Sequence, residues 1–270
     1  VKLFLNRKIR MNSMKDLFSQ NSQLYKQARP GYPHSIIQEI LKHTPKHGFA
    51  WDCGAGSGQF TQLLVPYFEQ IVATDLSESQ LQSAPYFENV SYQVQTAEQT
   101  TFSNQSFDLI TVAQAIHWFD FESFYAEVKR TLKANGVLAV VGYGLLEVQD
   151  QKVNAMIQEL YYEKLAGCWD AERRYIDEAY QTIPFDFDEI SVPEFSMHYQ
   201  WTAAQLLKYL STWSAVKHYQ DQYNKHALLD LAEYLQDLEQ EFEITFPVFL
   251  RLGRLKKVVK KSFMKRRSKV

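Results

Sequence analysis

The chain has 270 residues, of which 46% are apolar and 22% charged, enough apolar side chains to build one large hydrophobic core. Outside the last twenty residues the chain has 19 Lys and Arg against 31 Asp and Glu, and such an acidic body disfavours a surface built to bind phosphates. No stretch holds the roughly 18 uncharged apolar residues of a membrane span, and the N-terminal segment "VKLFLNRKIR" lacks the apolar run of a signal peptide. We therefore expect a protein of the cytoplasm.

The chain up to Leu146 divides into an arm and an α/β core. Residues 1–33 are predicted to form an N-terminal arm or lid, because Pro30 and Pro33 oppose a regular helix. Residues 34–146 then alternate predicted helices, among them 58–68, with five apolar runs, "FAWDCG", "QIVATD", "VSYQVQ", "FDLITVAQA" and "GVLAVVGYG". Continuous apolar runs are typical of parallel strands covered on both faces. The pattern predicts a doubly wound, Rossmann-like, mostly parallel sheet.

The pattern changes after Leu146. Residues 147–253 contain four helix-like segments, among them 171–181 and 225–242, interrupted by "ISVPEFSMHYQW" and "EITFPVFLRLG". We interpret this part as a helical cap insert with two late strands that complete the sheet. Residues 254–270 form a basic tail, since 251–270 carry ten Lys or Arg and no acid. Such a tail is either a disordered end or a basic helix for anionic lipid or nucleic acid.

The segment "DCGAGSG" places three glycines directly after a predicted strand. Gly54, Gly56 and Gly58 allow positive φ angles and let a ligand touch the backbone. A dinucleotide loop would need glycine where Gln59 stands, and no Gly-Lys-Ser/Thr follows to make a phosphate loop. The spacing fits Asp-x-Gly-x-Gly-x-Gly instead. A tight strand-to-helix turn without any ligand remains the alternative on this motif alone.

Later strand ends supply polar groups to the same edge of the sheet. Asp75 ends the second strand, where a carboxylate can accept two hydrogen bonds from a ribose diol. Asp75 could instead favour the start of the next helix, but Ser77 is the better helix cap. The segment "TAEQT" after the third strand brings Ala97 and Glu98 to a place where they could meet an adenine, although a solvated Glu98 is the simpler interpretation.

These segments together resemble the class I S-adenosylmethionine-dependent methyltransferases. "DCGAGSG", "ATDLS", "TAEQT", "FDLITVAQAIHWFD" and "RTLKANGVLAVVGYG" occur in the order and spacing of that family. "LYKQARPGYP" and "YLSTWSAVKHY" resemble its small-molecule branch that includes trans-aconitate methyltransferases (methyltransferase type 11 domain). Cys53 and Ala55 replace the more usual Leu and Cys of the family's loop, and the basic tail has no counterpart.

The resemblance implies S-adenosylmethionine as cofactor, methyl transfer by in-line displacement, and no metal; Cys53 and Cys168 form no metal-ligand cluster either. It implies cofactor contacts by Asp52, Gly54, Ala55, Gly56, Asp75, Leu76, Ala97, Glu98 and Gln114.

The segment "AQAIHWFD" implies that His117 and Trp118 lie nearest the acceptor, although such a pair is often only a packed corner. Tyr143, Tyr25, Arg29 and Trp213 are predicted substrate contacts. An alcohol or amine acceptor would need His117 as a base, whereas a carboxylate is already ionised and needs only orientation.

The leading functional hypothesis is therefore methylation of a small molecule, an organic acid that would become a methyl ester. Methylation of RNA or DNA is the first alternative. Enzymes that methylate exocyclic amines carry an Asn/Asp-Pro-Pro-aromatic turn after the fourth strand, where this chain has "QAIHW", so a nucleic-acid partner is disfavoured. A binding protein without catalysis is the second alternative. The sequence predicts no membrane span and leaves the oligomeric state open.

Overall fold

The structure is a computed structural model that describes residues 30–257. Within this range nine strands form one sheet. The strands are β1 Phe49–Cys53, β2 Gln70–Asp75, β3 Val90–Val94, β4 Phe107–Ala113, β5 Leu132–Tyr143, β6 Glu147–Val148, β7 Asp188–Ile190, β8 Phe195–Thr202 and β9 Glu241–Arg254. The predicted arm up to residue 29 and the tail from residue 258 lie outside the described residues.

The helices connect these strands. The α-helices are α1 His34–His43, α2 Thr61–Leu64, α3 Glu78–Gln82, α4 Phe121–Thr131, α5 Gln151–Glu159, α6 Arg173–Asp177, α7 Ala203–Leu210, α8 Ser214–Tyr223 and α9 Leu229–Leu235. Turns of 3₁₀-helix cover Ile116–Trp118 and Ala166–Cys168, and a π-helical turn, Leu160–Lys164, continues α5.

Five strands form the parallel part of the sheet, in the order β3-β2-β1-β4-β5. Asp52 of β1 lies opposite Ala73 of β2 and Thr111 of β4, so the carboxyl ends of these strands share one edge. The strand order reverses at β1, and α/β sheets bind their ligands at such a switch point. The predicted Rossmann-like, mostly parallel sheet is confirmed.

The C-terminal part returns to the sheet through β9. This strand pairs antiparallel with β5, from Leu138 opposite Gly253 to Tyr143 opposite Val248, and β6, β7 and β8 pair antiparallel with β9. The two predicted late strands are β8 and β9. The strands β6 and β7 were not predicted, because elements of their length are too short to show a period.

The helix predicted for residues 171–181 is shorter in the structure. It is helical only over Arg173–Asp177. Ala179 and Tyr180 have positive φ angles of 49° and 61°, and L-residues adopt this left-handed conformation singly rather than within a helix. The chain turns there and carries the Tyr180 side chain into the protein interior.

Two other predicted helices also end early. The segment 225–242 is helical only over Leu229–Leu235, and β9 already begins at Glu241. Of the segment 58–68 only the four residues of α2 are helical. Isolated helices of this length are not stable in water, so their ends are set by packing, of α2 against β2 and α1 and of α9 against α5 and α7.

Buried apolar side chains form one cluster on each face of the sheet. Along β5, Val137, Ala139 and Val141 belong to one cluster and Leu138 and Val140 to the other, as the alternation of a strand requires. The first cluster also contains side chains of α1, α5, α7, α8 and α9, so these C-terminal helices share a core with the sheet. The division between core and cap after Leu146 stays a prediction. None of the described helices is long and apolar enough to cross a bilayer.

Gly142 of β5 gives a first test of this packing. A Cβ at Gly142 would lie 2.1 Å from Cε2 of Phe249 and 2.7 Å from Cε2 of Tyr180. We expect Gly142→Ala to lower the free energy of unfolding by about 1–3 kcal/mol, the usual cost of overpacking. Gly167→Ala is the matched control, because no atom lies within 4 Å of its added Cβ. Denaturant unfolding of both variants measures the difference, and equal stabilities would contradict the tight packing at Gly142.

Candidate active site

The loop after β1 comes too close to other chain segments to carry side chains at its glycines. Gly54, Gly56 and Gly58 have φ angles of 69°, 55° and 76°, which favour glycine strongly. A Cβ on Gly54 would lie 2.5 Å from the Cβ of Ala115 in the loop after β4. The backbone N–H of Ala55 donates to the carbonyl of Thr74 at 2.9 Å. The glycines therefore allow the loop after β1 to pack tightly against the loop after β4 and against the end of β2.

Asp75 stands at the carboxyl end of β2 and binds the glycine loop. Its Oδ2 accepts the N–H of Gly56 at 2.8 Å, and its Oδ1 accepts the N–H of Ser77 at 2.8 Å. Helix α3 is capped by Ser77, whose Oγ accepts the N–H of Gln80. An ionised carboxylate has about four acceptor positions, so each oxygen of Asp75 keeps the capacity to accept a further hydroxyl proton.

The predicted cofactor contacts Leu76, Ala97 and Glu98 follow the ends of β2 and β3, and Ala97 and Glu98 were expected to meet an adenine. Leu76 exposes 70% of its surface, whereas Ala97 is buried. Glu98 accepts the backbone N–H of Asp120 through Oε1 at 3.2 Å, next to the start of α4. Leu76 therefore offers an apolar surface beside Asp75. Glu98 links the segment after β3 to the residue that precedes α4. Contact of these residues with an adenine stays a prediction.

Asp52 lies beneath the site. It was expected to contact the cofactor, but its side chain is completely buried. Its Oδ2 accepts the hydroxyl proton of Thr61 at 2.6 Å and its Oδ1 that of Thr111 at 2.7 Å. Burial raises the pKa of the Asp52 carboxyl to about 6, although both hydrogen bonds act in the opposite direction. Asp52 thus joins the end of β1 to β4 and to the start of α2, and its contact with the cofactor stays a prediction.

The segment after β4 brings Gln114, His117 and Trp118 to the crevice. Gln114 has a φ angle of 54°, and its side-chain amide donates to the carbonyl of Tyr143 at 2.9 Å. This bond ties the end of β4 to the end of β5. His117 is 6% exposed and Trp118 57% exposed, with 4.9 Å between their ring centres. His117 is therefore an interior group and Trp118 an accessible one.

Tyr180 connects His117 to Gln114, and the sequence did not predict this. Its hydroxyl lies 2.9 Å from Nδ1 of His117 and donates to Oε1 of Gln114 at 3.3 Å. A hydroxyl has one proton, so donation to Gln114 leaves Tyr180 to accept a proton from Nδ1 of His117. Burial raises the pKa of the Tyr180 hydroxyl, which therefore stays neutral. Tyr180 thus orients the imidazole.

Tyr143 lies at the end of β5 beside the described end of the arm. It is 8% exposed, and its ring meets those of Tyr32 and Phe246 edge-on, at 6.0 and 5.7 Å between centres. Its carbonyl is the acceptor for Gln114. The predicted substrate contacts Tyr25 and Arg29 lie outside the described residues.

Trp213 lies in an aromatic cluster of the C-terminal part. It precedes α8, is 6% exposed, and its ring centre lies 5.5 Å from those of Tyr161 and Trp169. The guanidinium of Arg173 lies over Tyr161 and Trp169, at 5.2 and 4.9 Å from their centres. Helix α6, which begins with Arg173, packs against the turn Ile116–Trp118. The aromatic cluster is thereby connected to the His117 side of the site.

The raised pKa of Asp52 predicts how stability depends on pH. The ordinary pKa of an aspartate in the unfolded chain is 3.8, and in the folded state that of Asp52 is about 6. The folded state therefore binds this proton more tightly, and the Asp52 contribution to the free energy of unfolding falls as pH rises from about 4 to about 6. We expect Asp52→Asn to remove that fall, measured by urea unfolding across this range.

Asp120→Asn is the control for this titration. The pKa of Asp120 is lowered by its hydrogen bond to Ser123, so its contribution to stability is lost as pH falls, which is the opposite direction. An unchanged pH dependence in Asp52→Asn would show that the Asp52 carboxylate stays charged in the folded state.

Comparison with known proteins gives matches over the site and over most of the chain. The family described as "Methyltransferase domain" matches residues 51–140, from β1 to β5. A Dictyostelium discoideum protein named as a methyltransferase is 32% identical over 249 residues, which are 88% of this chain and 95% of the relative. A Saccharomyces cerevisiae protein named as an S-adenosylmethionine-dependent methyltransferase is 29% identical over 127 residues, 43% of each chain.

Solved structures agree with this result. A protein from Anaeromyxobacter dehalogenans named as a type II methyltransferase has 35% sequence identity and a TM-score of 0.77, over 85% of this chain and 99% of that chain. The YcgJ protein of Bacillus subtilis, at 20% identity and a TM-score of 0.51 over 83% of this chain and 99% of that one, shares the fold. The glycine loop and Asp75, with its unused acceptor capacity, fit the cofactor of such enzymes. The chain belongs to the S-adenosylmethionine-dependent methyltransferases.

Proposed function

We propose that this methyltransferase acts on a small organic acid and forms its methyl ester. The main support for this proposal is that His117 is enclosed by the protein. Its side chain is 6% exposed and hydrogen-bonded to the buried Tyr180 of the C-terminal part. Because α6 packs against the turn that holds His117, C-terminal residues cover this side of the crevice. Enclosed sites with aromatic walls and few polar groups are typical of small-molecule binding.

The edge formed by β1, β2 and β4 would hold the cofactor, which supplies an activated methyl group when bound. In this proposal the backbone of Gly54, Ala55 and Gly56 approaches the cofactor, and Asp75 accepts the ribose hydroxyl protons. Leu76, Ala97 and Glu98 surround the adenine. Gln114 lies beside the methionine part. Asp52 supports this loop from below through Thr61 and Thr111.

The acceptor would lie between the β4 end and the C-terminal part. A carboxylate is ionised at neutral pH, so the protein has to align it and need not remove a proton. Tyr180 fixes the ring of His117, which suits a group that orients a carboxylate. Trp118, Tyr143 and Trp213 would form apolar walls. The resemblance of "LYKQARPGYP" to trans-aconitate methyltransferases supports an acid, and Tyr25 and Arg29 in that segment stay proposed substrate contacts.

The acceptor class is tested directly by mass spectrometry. The purified protein is incubated with S-adenosylmethionine and a panel of small carboxylic acids, amines, phenols and short RNAs. We expect methyl esters of acids. Methylation confined to RNA would overturn the proposal, and methylation of phenols or amines would replace it with a mechanism that needs a base.

Asp75→Ala tests the cofactor site. We expect the variant to bind S-adenosylmethionine and its demethylated product more weakly, by about 1.5–3 kcal/mol, because charge-assisted hydrogen bonds are lost. Titration calorimetry measures both affinities. Ser77→Ala is the control, since it removes the cap of α3 and leaves the carboxylate in place. Unchanged affinity in Asp75→Ala would remove Asp75 from the ribose.

His117→Gln separates orientation from base catalysis. If His117 only orients an ionised acid, we expect the variant to have a higher KM or a poorly aligned substrate, but still to turn over. If His117 acts as a base, we expect the rate to fall by about 10²–10⁴-fold. Steady-state kinetics with the methylated acid distinguishes the two results. His198→Gln is the matched control, because His198 lies on β8 and bonds Ser196 and Thr245.

A further inference from the structure

Arg173 belongs to the segment of the C-terminal part that contacts the turn carrying His117. It begins α6, which packs against the turn Ile116–Trp118. Burial raises the pKa of the Tyr180 hydroxyl, and the charge of Arg173 acts against that rise, so Arg173 is within electrostatic range of the tyrosine that contacts His117. The side chain of Arg173 is only 20% exposed.

The guanidinium of Arg173 uses only part of its hydrogen-bonding capacity. Its Nε donates to the hydroxyl of Tyr161 at 2.6 Å and lies 3.5 Å from Oδ1 of Asp177. That same oxygen accepts the hydroxyl proton of Tyr161 at 2.5 Å, and Asp177 is 37% exposed. Within residues 30–257 the two terminal nitrogens of Arg173 have no hydrogen-bond partner. These nitrogens form the planar fork that binds carboxylates through two parallel bonds.

The aromatic cluster beside Arg173 contains a second donor without an acceptor. The indole Nε1 of Trp213 is buried and has no hydrogen-bond partner in the described part of the chain. A buried donor left unpaired costs about 1–3 kcal/mol, which an acceptor on a bound molecule would recover. The rings of Tyr161 and Trp169 lie 4.6 Å apart at their centres, and both contact the Arg173 guanidinium. Cation, indole donor and apolar rings thus occur together.

We propose that Arg173 binds the carboxylate of the methyl acceptor, with Nε1 of Trp213 as an additional donor and the rings of Tyr161 and Trp169 against the acceptor's apolar body. Arg173 is then the residue that selects acids over their uncharged analogues. This inference rests on the proposed ester-forming function and names its specificity-determining residue. The substrate class that the site fits best is a monocarboxylic acid with an apolar or aromatic body.

The experiment measures binding and turnover separately. The protein loaded with S-adenosylhomocysteine is titrated in a calorimeter with benzoate, cinnamate and octanoate, and with the amide of each acid. Arg173→Gln and Arg173→Lys are compared with Arg174→Gln, a matched control because Arg174 is exposed and bonds Tyr175. Thermal unfolding and S-adenosylhomocysteine affinity establish that each variant folds, and methyl-ester formation is followed by mass spectrometry.

We expect wild type and Arg174→Gln to bind at least one acid more tightly than its amide. Arg173→Gln should weaken acid binding about 10- to 100-fold and leave amide binding unchanged, with Arg173→Lys between the two. If Arg173→Gln still prefers acids over amides, the inference is wrong, and this holds even if methyl esters form and the proposed function is correct. Acid binding that depends on Arg173 without ester formation overturns the proposed function alone. No acid preference in wild type overturns the inference directly.

Discussion

The close contact between the loops after β1 and β4 is the constraint on which the site depends. At Gly54 even one methyl group would collide with Ala115 and approach Cζ of Phe119 to 3.2 Å. Ala115 directly precedes the turn that carries His117. A side chain at Gly54 would therefore displace the proposed acceptor side of the crevice as well as its proposed cofactor side. The same loop gives Asp75 the N–H of Gly56, so one tight turn aligns groups from three parallel strands.

The acceptor side depends equally on β9. Arg251 of β9 is opposite Val140 of β5, and its Nη1 donates to the carbonyls of Tyr180 and Ile183 at 2.8 and 2.9 Å. These bonds hold the left-handed turn that directs Tyr180 toward His117. Gly142 leaves the space for the Tyr180 ring. The last strand of the sheet, far from Tyr180 along the chain, thus fixes the side chain that orients the imidazole.

Local patterns predicted the parallel sheet, the glycine loop and the position of Asp75, because each of these features is determined by residues that are close together in the sequence. They overestimated the lengths of the C-terminal helices, because α6 packs against the turn Ile116–Trp118 and α9 against α5 and α7, and a local pattern does not show contacts between separate segments. The sequence also did not show that both carboxylate oxygens of Asp52 accept hydrogen bonds from Thr61 and Thr111 inside the core.

Tyr180 and Arg173 could not be predicted for a related reason. Both lie in a segment whose pattern is typical of an ordinary cap helix, and neither belongs to a motif of the predicted α/β core. Their importance arises only when α6 packs against Ile116–Trp118. Sequence patterns report which residues share a helix face or a strand, whereas this contact joins segments that are distant in the sequence.

If Arg173 binds the acceptor as proposed, its charge also affects product release. On the proposed chemistry the acid enters with a negative charge, and its ester leaves without one. A carboxylate can accept two parallel charge-assisted hydrogen bonds from a guanidinium, whereas the uncharged ester loses the attraction between opposite charges. Binding to Arg173 is therefore strong before transfer and weak after it. Because Asp177 lies 3.5 Å from Nε of Arg173, the guanidinium keeps a charged neighbour when the ester has left, and the site returns to its starting state without burying an isolated cation.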